Sequence, residues 1–182
     1  MEEKVRCFIA INFPKEITGE VERVQEQINN KKIFVGRFID DVNLHLTLKF
    51  LGEISAEEIG KVKGTLRKVG EERFAAKLGS LGVFSSNFIR IIWIKILGKG
   101  IFDLQKKIDD VLKDMFDKEE RFMSHLTIAR VKNVKDRKIF LQELKKINVR
   151  DLKFEVDRFS LIKSVLTEQG AEYSVLEEYV LK

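Results

Sequence analysis

Two octapeptides, Asn43-Leu44-His45-Leu46-Thr47-Leu48-Lys49-Phe50 and Met123-Ser124-His125-Leu126-Thr127-Ile128-Ala129-Arg130, contain both histidines of the chain. Each reads His-Leu-Thr, and the two histidines lie 80 positions apart. In an extended strand, side chains two apart share a side. His45, Thr47 and Lys49 then share one face, opposite Leu44, Leu46, Leu48 and Phe50. In the second copy His125 and Thr127 oppose Leu126 and Ile128. The chain has only five threonines. Composition alone does not put one of them two positions after each histidine, even allowing for the enrichment of Thr in strands. Each octapeptide is expected to bury an aliphatic face and present a His and a Thr on the other.

The same order of elements surrounds each octapeptide. In the first half, a strand is expected from Val5 to Phe13, with Pro14 suited to a helix start. Ile17, Val21, Val24 and Ile28 then recur at helical spacing. A strand from Asn43 to Leu51 follows. Ser55 and Glu58 form a capping-box pattern, before the stripe Ile59, Val62, Leu66 and Val69 and a strand from Phe74 to Phe84. In the second half a strand from Phe88 to Leu97 precedes a helix marked by Ile101, Leu104, Ile108, Val111, Leu112 and Met115. A strand from Arg121 to Val131, a helix over Ile139, Phe140, Leu144 and Ile147, and a strand from Leu152 to Val165 complete it. A closing strand covers Tyr173 to Leu181. The chain reads as one bilobal domain over residues 1–182, with approximate repeats over 5–84 and 88–165 and a closing strand over 173–181. A pseudo-twofold axis between the lobes would bring the two His/Thr faces together across a cleft.

Composition narrows the function. The net charge is +5 and the pI about 9.2, a balance that favours polyanionic partners. Charged residues make up 35% of the chain, interspersed in sign, and the abundance of Lys and Glu resembles a thermophile's usage. Cys7 is the only cysteine, which excludes an intramolecular disulfide. Its apolar setting suggests a core residue in a reducing compartment. Met1-Glu2-Glu3-Lys4 is not a signal peptide, and Ile91-Ile92-Trp93-Ile94 is too short to span a membrane. A cytoplasmic location is expected, without membrane association. There is no Gly-rich phosphate loop, no His-Glu-x-x-His and no Gly-x-Ser-x-Gly. Two histidines and an apolar cysteine make a poor metal-ligand set.

Histidine titrates near neutral pH. Two histidines facing one substrate can divide acid and base work, one taking a proton from the nucleophile and the other giving one to the leaving oxygen. Threonine hydroxyls beside them can donate to non-bridging phosphate oxygens as charge develops. Such a constellation suits transfer at phosphorus without a metal or other cofactor.

Paired His-x-Thr-x tetrapeptides, here His45-Leu46-Thr47-Leu48 and His125-Leu126-Thr127-Ile128, resemble the signature of the 2H phosphoesterases. The longer string His45 to Gly52 is similar to the LigT-like RNA 2′,3′-cyclic phosphodiesterases, also called 2′-5′ RNA ligases. Further similarities are Arg6-Cys7-Phe8-Ile9-Ala10-Ile11, Gly82-Val83-Phe84, Arg90 with Trp93, and Ser164-Val165-Leu166-Thr167 with Gly170 and Tyr173. The resemblance implies an α+β, bilobal duplicated fold of two antiparallel sheets with outer helices around a central cleft. It implies hydrolysis of an RNA 2′,3′-cyclic phosphate end, tRNA fragments among the candidate RNAs, to a 2′-phosphomonoester without metal. By the resemblance His45 is the proton donor and His125 the proton acceptor. The same residues serve the reverse joining of a cyclic phosphate to a 5′-hydroxyl, and a non-catalytic RNA-binding module is the other alternative. A monomer is expected.

Three further residues are candidates for phosphate or RNA contact. Arg130 follows the second motif, but strict alternation sets it opposite His125, so it reaches the cleft only if the strand bends or ends. Lys49 has the parity of His45, four residues along. Phe84 is either a base-stacking surface or a core phenylalanine. Trp93, in a wholly apolar strand, reads as core.

Overall fold

The computed structural model describes residues 3–168 and 170–182. Strand β1 (Lys4–Asn12) carries Cys7, Ile9 and Ile11 into the main core. Helix α1 (Lys15–Lys31) buries Ile17, Val21, Val24 and Ile28 along one stripe. A short β2 (Val35–Phe38) and a single 3-10 turn (Asp41–Asn43) lead into β3 (His45–Ser55). Helix α2 (Ala56–Leu66) begins with the expected capping box: Glu58 N donates to Ser55 Oγ at 3.2 Å, and Ser55 N donates to Glu58 Oε2 at 2.8 Å. Strands β4 (Phe74–Val83) and β5 (Ile91–Leu97), helix α3 (Lys99–Leu112), strand β6 (His125–Asn133) and helix α4 (Arg137–Lys145) follow. Strands β7 (Lys153–Val156), β8 (Arg158–Thr167) and β9 (Gly170–Val180) close the chain.

The strands form two antiparallel sheets, in the orders β3-β1-β8-β9 and β2-β6-β5-β4-β7. The halves of the sequence do not each build a sheet of their own. β4 leaves β1 and β3 and pairs with β5, while β8 leaves β5 and β6 and pairs with β1. The physical reason for β4 is its short link to β5, because strands joined by a short turn pair antiparallel. The exchange is reciprocal, so β3-β1-β8 and β6-β5-β4 are equivalent triplets and the His/Thr strands β3 and β6 occupy matching places. The expected strand from Leu152 to Val165 divides accordingly, β7 pairing with β4 and β8 with β1. β2, not anticipated from the sequence, extends the second sheet beyond β6.

Both motif strands carry a bulge at the same place. On β3, Thr47 pairs with Ala10 and Lys49 with Ile9, leaving Leu48 as the extra residue. On β6, Thr127 pairs with Trp93 and Ala129 with Ile92, leaving Ile128 extra. An extra residue reverses the parity of everything after it. Leu48 and Lys49 are accordingly both buried, as are Ile128 and Ala129. The β6 bulge is anchored: the carbonyl of Ile128 accepts from Gln25 Nε2 at 2.9 Å and from Ile39 N at 3.0 Å. Further along β3, Gly52 has φ +73°, a conformation that a side chain would strain.

Candidate active site

The first residues of β3 and β6 are the two histidines, and their rings are held in the same way. His45 Nδ1 is 2.7 Å from the carbonyl oxygen of Asn43, and His125 Nδ1 is 2.7 Å from that of Met123. A carbonyl oxygen only accepts, so Nδ1–H donates in each case. Nε2 then carries the lone pair of the neutral ring and is the nitrogen left for chemistry. Aromatic rings brace both imidazoles. Phe8 lies 4.8 Å from His45, and Tyr173 meets it edge-on at 5.2 Å. Phe84 meets His125 edge-on at 5.0 Å.

Both histidines and both threonines, Thr47 and Thr127, line one cavity of about 500 Å³ between the sheets. All four are half-buried, so neither imidazole is packed away in apolar interior. The pKa of His45 is held below its ordinary value. Burial is the main cause, the bond to Asn43 opposes it, and the positive charges of His125 and Arg130 add to the lowering. Burial and neighbouring positive charge both disfavour the protonated ring, while a hydrogen bond to a carbonyl favours it.

The bulges decide which later residues reach the cavity. Strict alternation sets Arg130 opposite His125, but the extra residue at Ile128 turns it to the cavity wall. The bend on which its reach depended is this bulge. The same device acts against Lys49. The bulge at Leu48 directs its side chain inward, where Nζ lies 2.5 Å from Asp109 Oδ1 and 2.5 Å from the carbonyl oxygen of Asp117. Lys49 lines the cavity with His45 and Thr47, but its ammonium is paired within the wall to Asp109 and the Asp117 carbonyl. The cavity position five residues after His45 is taken instead by Phe50, 68% exposed. The two lobes are therefore alike through the threonines and differ at the exposed residue that follows each bulge, Phe50 on one side and Arg130 on the other.

Phe84 is not a core residue. It is 53% exposed, lines the cavity and leans on Trp93 at 5.8 Å. Trp93 pairs with Thr127 and so lies on the face of β5 away from the buried Ile92 and Ile94, which corrects its reading as core. Its ring covers Gly82 so closely that a Cβ there would sit 2.5 Å from it.

Several wall residues escaped the reading of the sequence. Arg6 shares the parity of Phe8 on β1 and lines the cavity, and this alternation was a usable signal. Arg121, expected at the start of a strand, lies in the loop before β6, and Tyr173, expected to open the closing strand, lies within β9; both also line the cavity. Among the described residues, no ion pair engages Arg6, Arg121 or Arg130. Nor do any three His, Cys, Asp or Glu side chains come together as they would to hold a metal ion. No described helix is long and apolar enough to cross a membrane.

The family model described as LigT like Phosphoesterase matches residues 11–93 and 96–173, each stretch holding one His-Leu-Thr. The chain is 34% identical over 178 residues to the protein named RNA 2′,3′-cyclic phosphodiesterase of Methanocaldococcus jannaschii, covering 96% of this chain and 100% of that one. Among solved structures, TT0787 of Thermus thermophilus has the same fold, with a TM-score of 0.82 at 24% identity over 96% of this chain and 97% of that one. Apo LigT of Escherichia coli matches with a TM-score of 0.80 at 23% identity over 99% of both.

Proposed function

This chain belongs to the LigT-like phosphoesterase family, and from that premise we propose that it hydrolyses the terminal 2′,3′-cyclic phosphate of RNA to a 2′-phosphomonoester, using His45 and His125 as an acid/base pair and no metal. The observation that carries this reading is the matched pair of imidazoles in one cavity, each donating Nδ1–H to a carbonyl two residues back and each keeping Nε2 for the substrate. The substrate class is that of the relatives named RNA 2′,3′-cyclic phosphodiesterase.

In the proposed step, neutral His125 takes a proton from water through Nε2 as the water oxygen bonds to phosphorus. The bond from phosphorus to O3′ breaks, and protonated His45 gives its Nε2 proton to O3′. The products are a 2′-phosphate and a free 3′-hydroxyl. The sheets treat the two rings alike, so the division of roles follows the family resemblance. Burial and the nearby positive charges favour neutral His45. A bound phosphodiester supplies the counter-charge that raises its pKa and loads the proton where it is needed. Thr47 and Thr127 donate to the non-bridging oxygens, Arg130 neutralises the charge that grows on them, and Phe50 and Phe84 offer faces on which bases stack.

The test uses an oligonucleotide ending in a 2′,3′-cyclic phosphate, incubated in excess chelator with and without a 5′-hydroxyl partner. Accumulation of the 2′-phosphate end in both reactions is expected. A joined product as the main outcome would reassign the chain to ligation, and binding without turnover would make it an RNA-binding module.

A further inference from the structure

The catalytic cavity opens into a second one, of about 670 Å³, and the two share Arg6, Ile39, Arg130 and Tyr173 as common walls. The second cavity adds Arg37 from β2 and the end of the β8–β9 hairpin. Arg37 stands directly opposite Arg130 in the β2–β6 register. Like charges directly opposed across two strands repel. Among the described residues neither guanidinium has an ion-pair partner. Asp40 and Glu172 also line this cavity, two carboxylates against the three guanidinium groups of Arg6, Arg37 and Arg130. The Arg37 guanidinium lies so near the backbone of Gly170 that a Cβ there would sit 3.1 Å from Nη1, and Gly170 has φ +138°. The hairpin end thus packs beside the guanidinium, and its backbone at position 170 has a φ that suits glycine.

An RNA ending in a 2′,3′-cyclic phosphate can leave the catalytic site only through O5′ of its last ribose, so the next phosphate must lie on whichever path leads out. Taking the proposed activity as its basis, we propose that the Arg37 cavity is this path: a second phosphate subsite that binds the phosphodiester 5′ to the terminal nucleotide, with Arg37 as its specificity-determining residue. An anion between Arg37 and Arg130 relieves their repulsion while making charge-assisted hydrogen bonds to both. The chain then distinguishes an RNA end from a free cyclic mononucleotide, which has no such phosphate.

The experiment compares adenosine 2′,3′-cyclic phosphate with the dinucleotide ApA 2′,3′-cyclic phosphate, using the native chain and Arg37→Gln. Arg37 is exposed on a short strand, and a melting curve verifies that the variant folds. The native chain is expected to favour the dinucleotide in kcat/KM by roughly tenfold or more, the size of one charge-assisted contact. Arg37→Gln is expected to lose that preference and to leave turnover of the mononucleotide unchanged. It also flattens the salt dependence for the dinucleotide, by about 0.7 in the log–log slope for one lost phosphate contact. Equal losses on both substrates, or no loss on either, would overturn the subsite. If neither substrate turns over, the hydrolase reading falls, and equilibrium binding of the same two ligands still decides the subsite. Arg37→Gln must then weaken the dinucleotide alone.

Discussion

Replacing Lys49 with Met strands a buried carboxylate. The side chains of Lys49 and Asp109 are 3% and 5% exposed, and their ion pair joins β3 to α3. Lys49 Nζ also donates to the carbonyl of Asp117, while the other oxygen of Asp109 accepts from Gln105 Nε2 at 2.6 Å and from Glu119 N at 3.2 Å. Removing one partner of such a pair costs about 3–5 kcal/mol, because the remaining charge keeps its desolvation penalty and loses its counter-ion. At ~2–4 °C per kcal/mol for a chain of this size, Lys49→Met is expected to melt roughly 6–20 °C below the native protein. In the double variant Lys49→Met/Asp109→Asn the charge is gone, yet an acceptor remains for Gln105 and Glu119, so more than half of the loss is expected to return. Thermal unfolding followed by circular dichroism measures both. A single variant that melts within about 2 °C of native, or a double variant no better than the single, would refute the claim that an uncompensated buried charge sets the cost.

Gly82→Ala pushes a methyl into the Trp93 ring, and overpacking of this kind is expected to cost about 1–3 kcal/mol in a melt. Arg130→Gln removes one of the positive charges that lower the pKa of His45, so the imidazole is expected to titrate at higher pH in the variant than in the native chain, as followed by NMR. The native ring titrates below its ordinary value of 6.5, so its contribution to stability is present above that pH and is lost as the pH falls through the folded value, which unfolding midpoints across pH would register. Thr47→Ala and Thr127→Ala are each expected to lower kcat by roughly tenfold, the loss of one hydrogen bond to a charged oxygen, and so by less than loss of either histidine.

The motif strands were legible because alternation is a local property: Leu46, Leu48, Leu126 and Ile128 are buried as their spacing requires, and His45, Thr47, His125 and Thr127 face the cavity. The helix stripes were legible for the same reason, as was the capping box at Ser55. The fates of Lys49 and Arg130 were not, because a single extra residue on each strand reverses parity and nothing in the octapeptides marks where it falls. The bulge at Ile128 depends on Gln25 and Ile39, remote in sequence. The exchange of β4 and β8 between sheets likewise rests on pairing partners chosen by connection and tertiary packing. β2 escaped notice because Val35-Gly36-Arg37-Phe38 is four residues long and contains a glycine. The carbonyls that orient the imidazoles belong to Asn43 and Met123, whose side chains give no hint of the role.

The acid/base claim is tested most directly by single-turnover rates of His45→Ala, His125→Ala and the double variant on a cyclic-phosphate oligonucleotide. Each single replacement is expected to slow the chemical step by at least ~10², and the double variant to be little slower than the worse single, since the two rings act as one unit. Native-like turnover in either single variant would contradict the account.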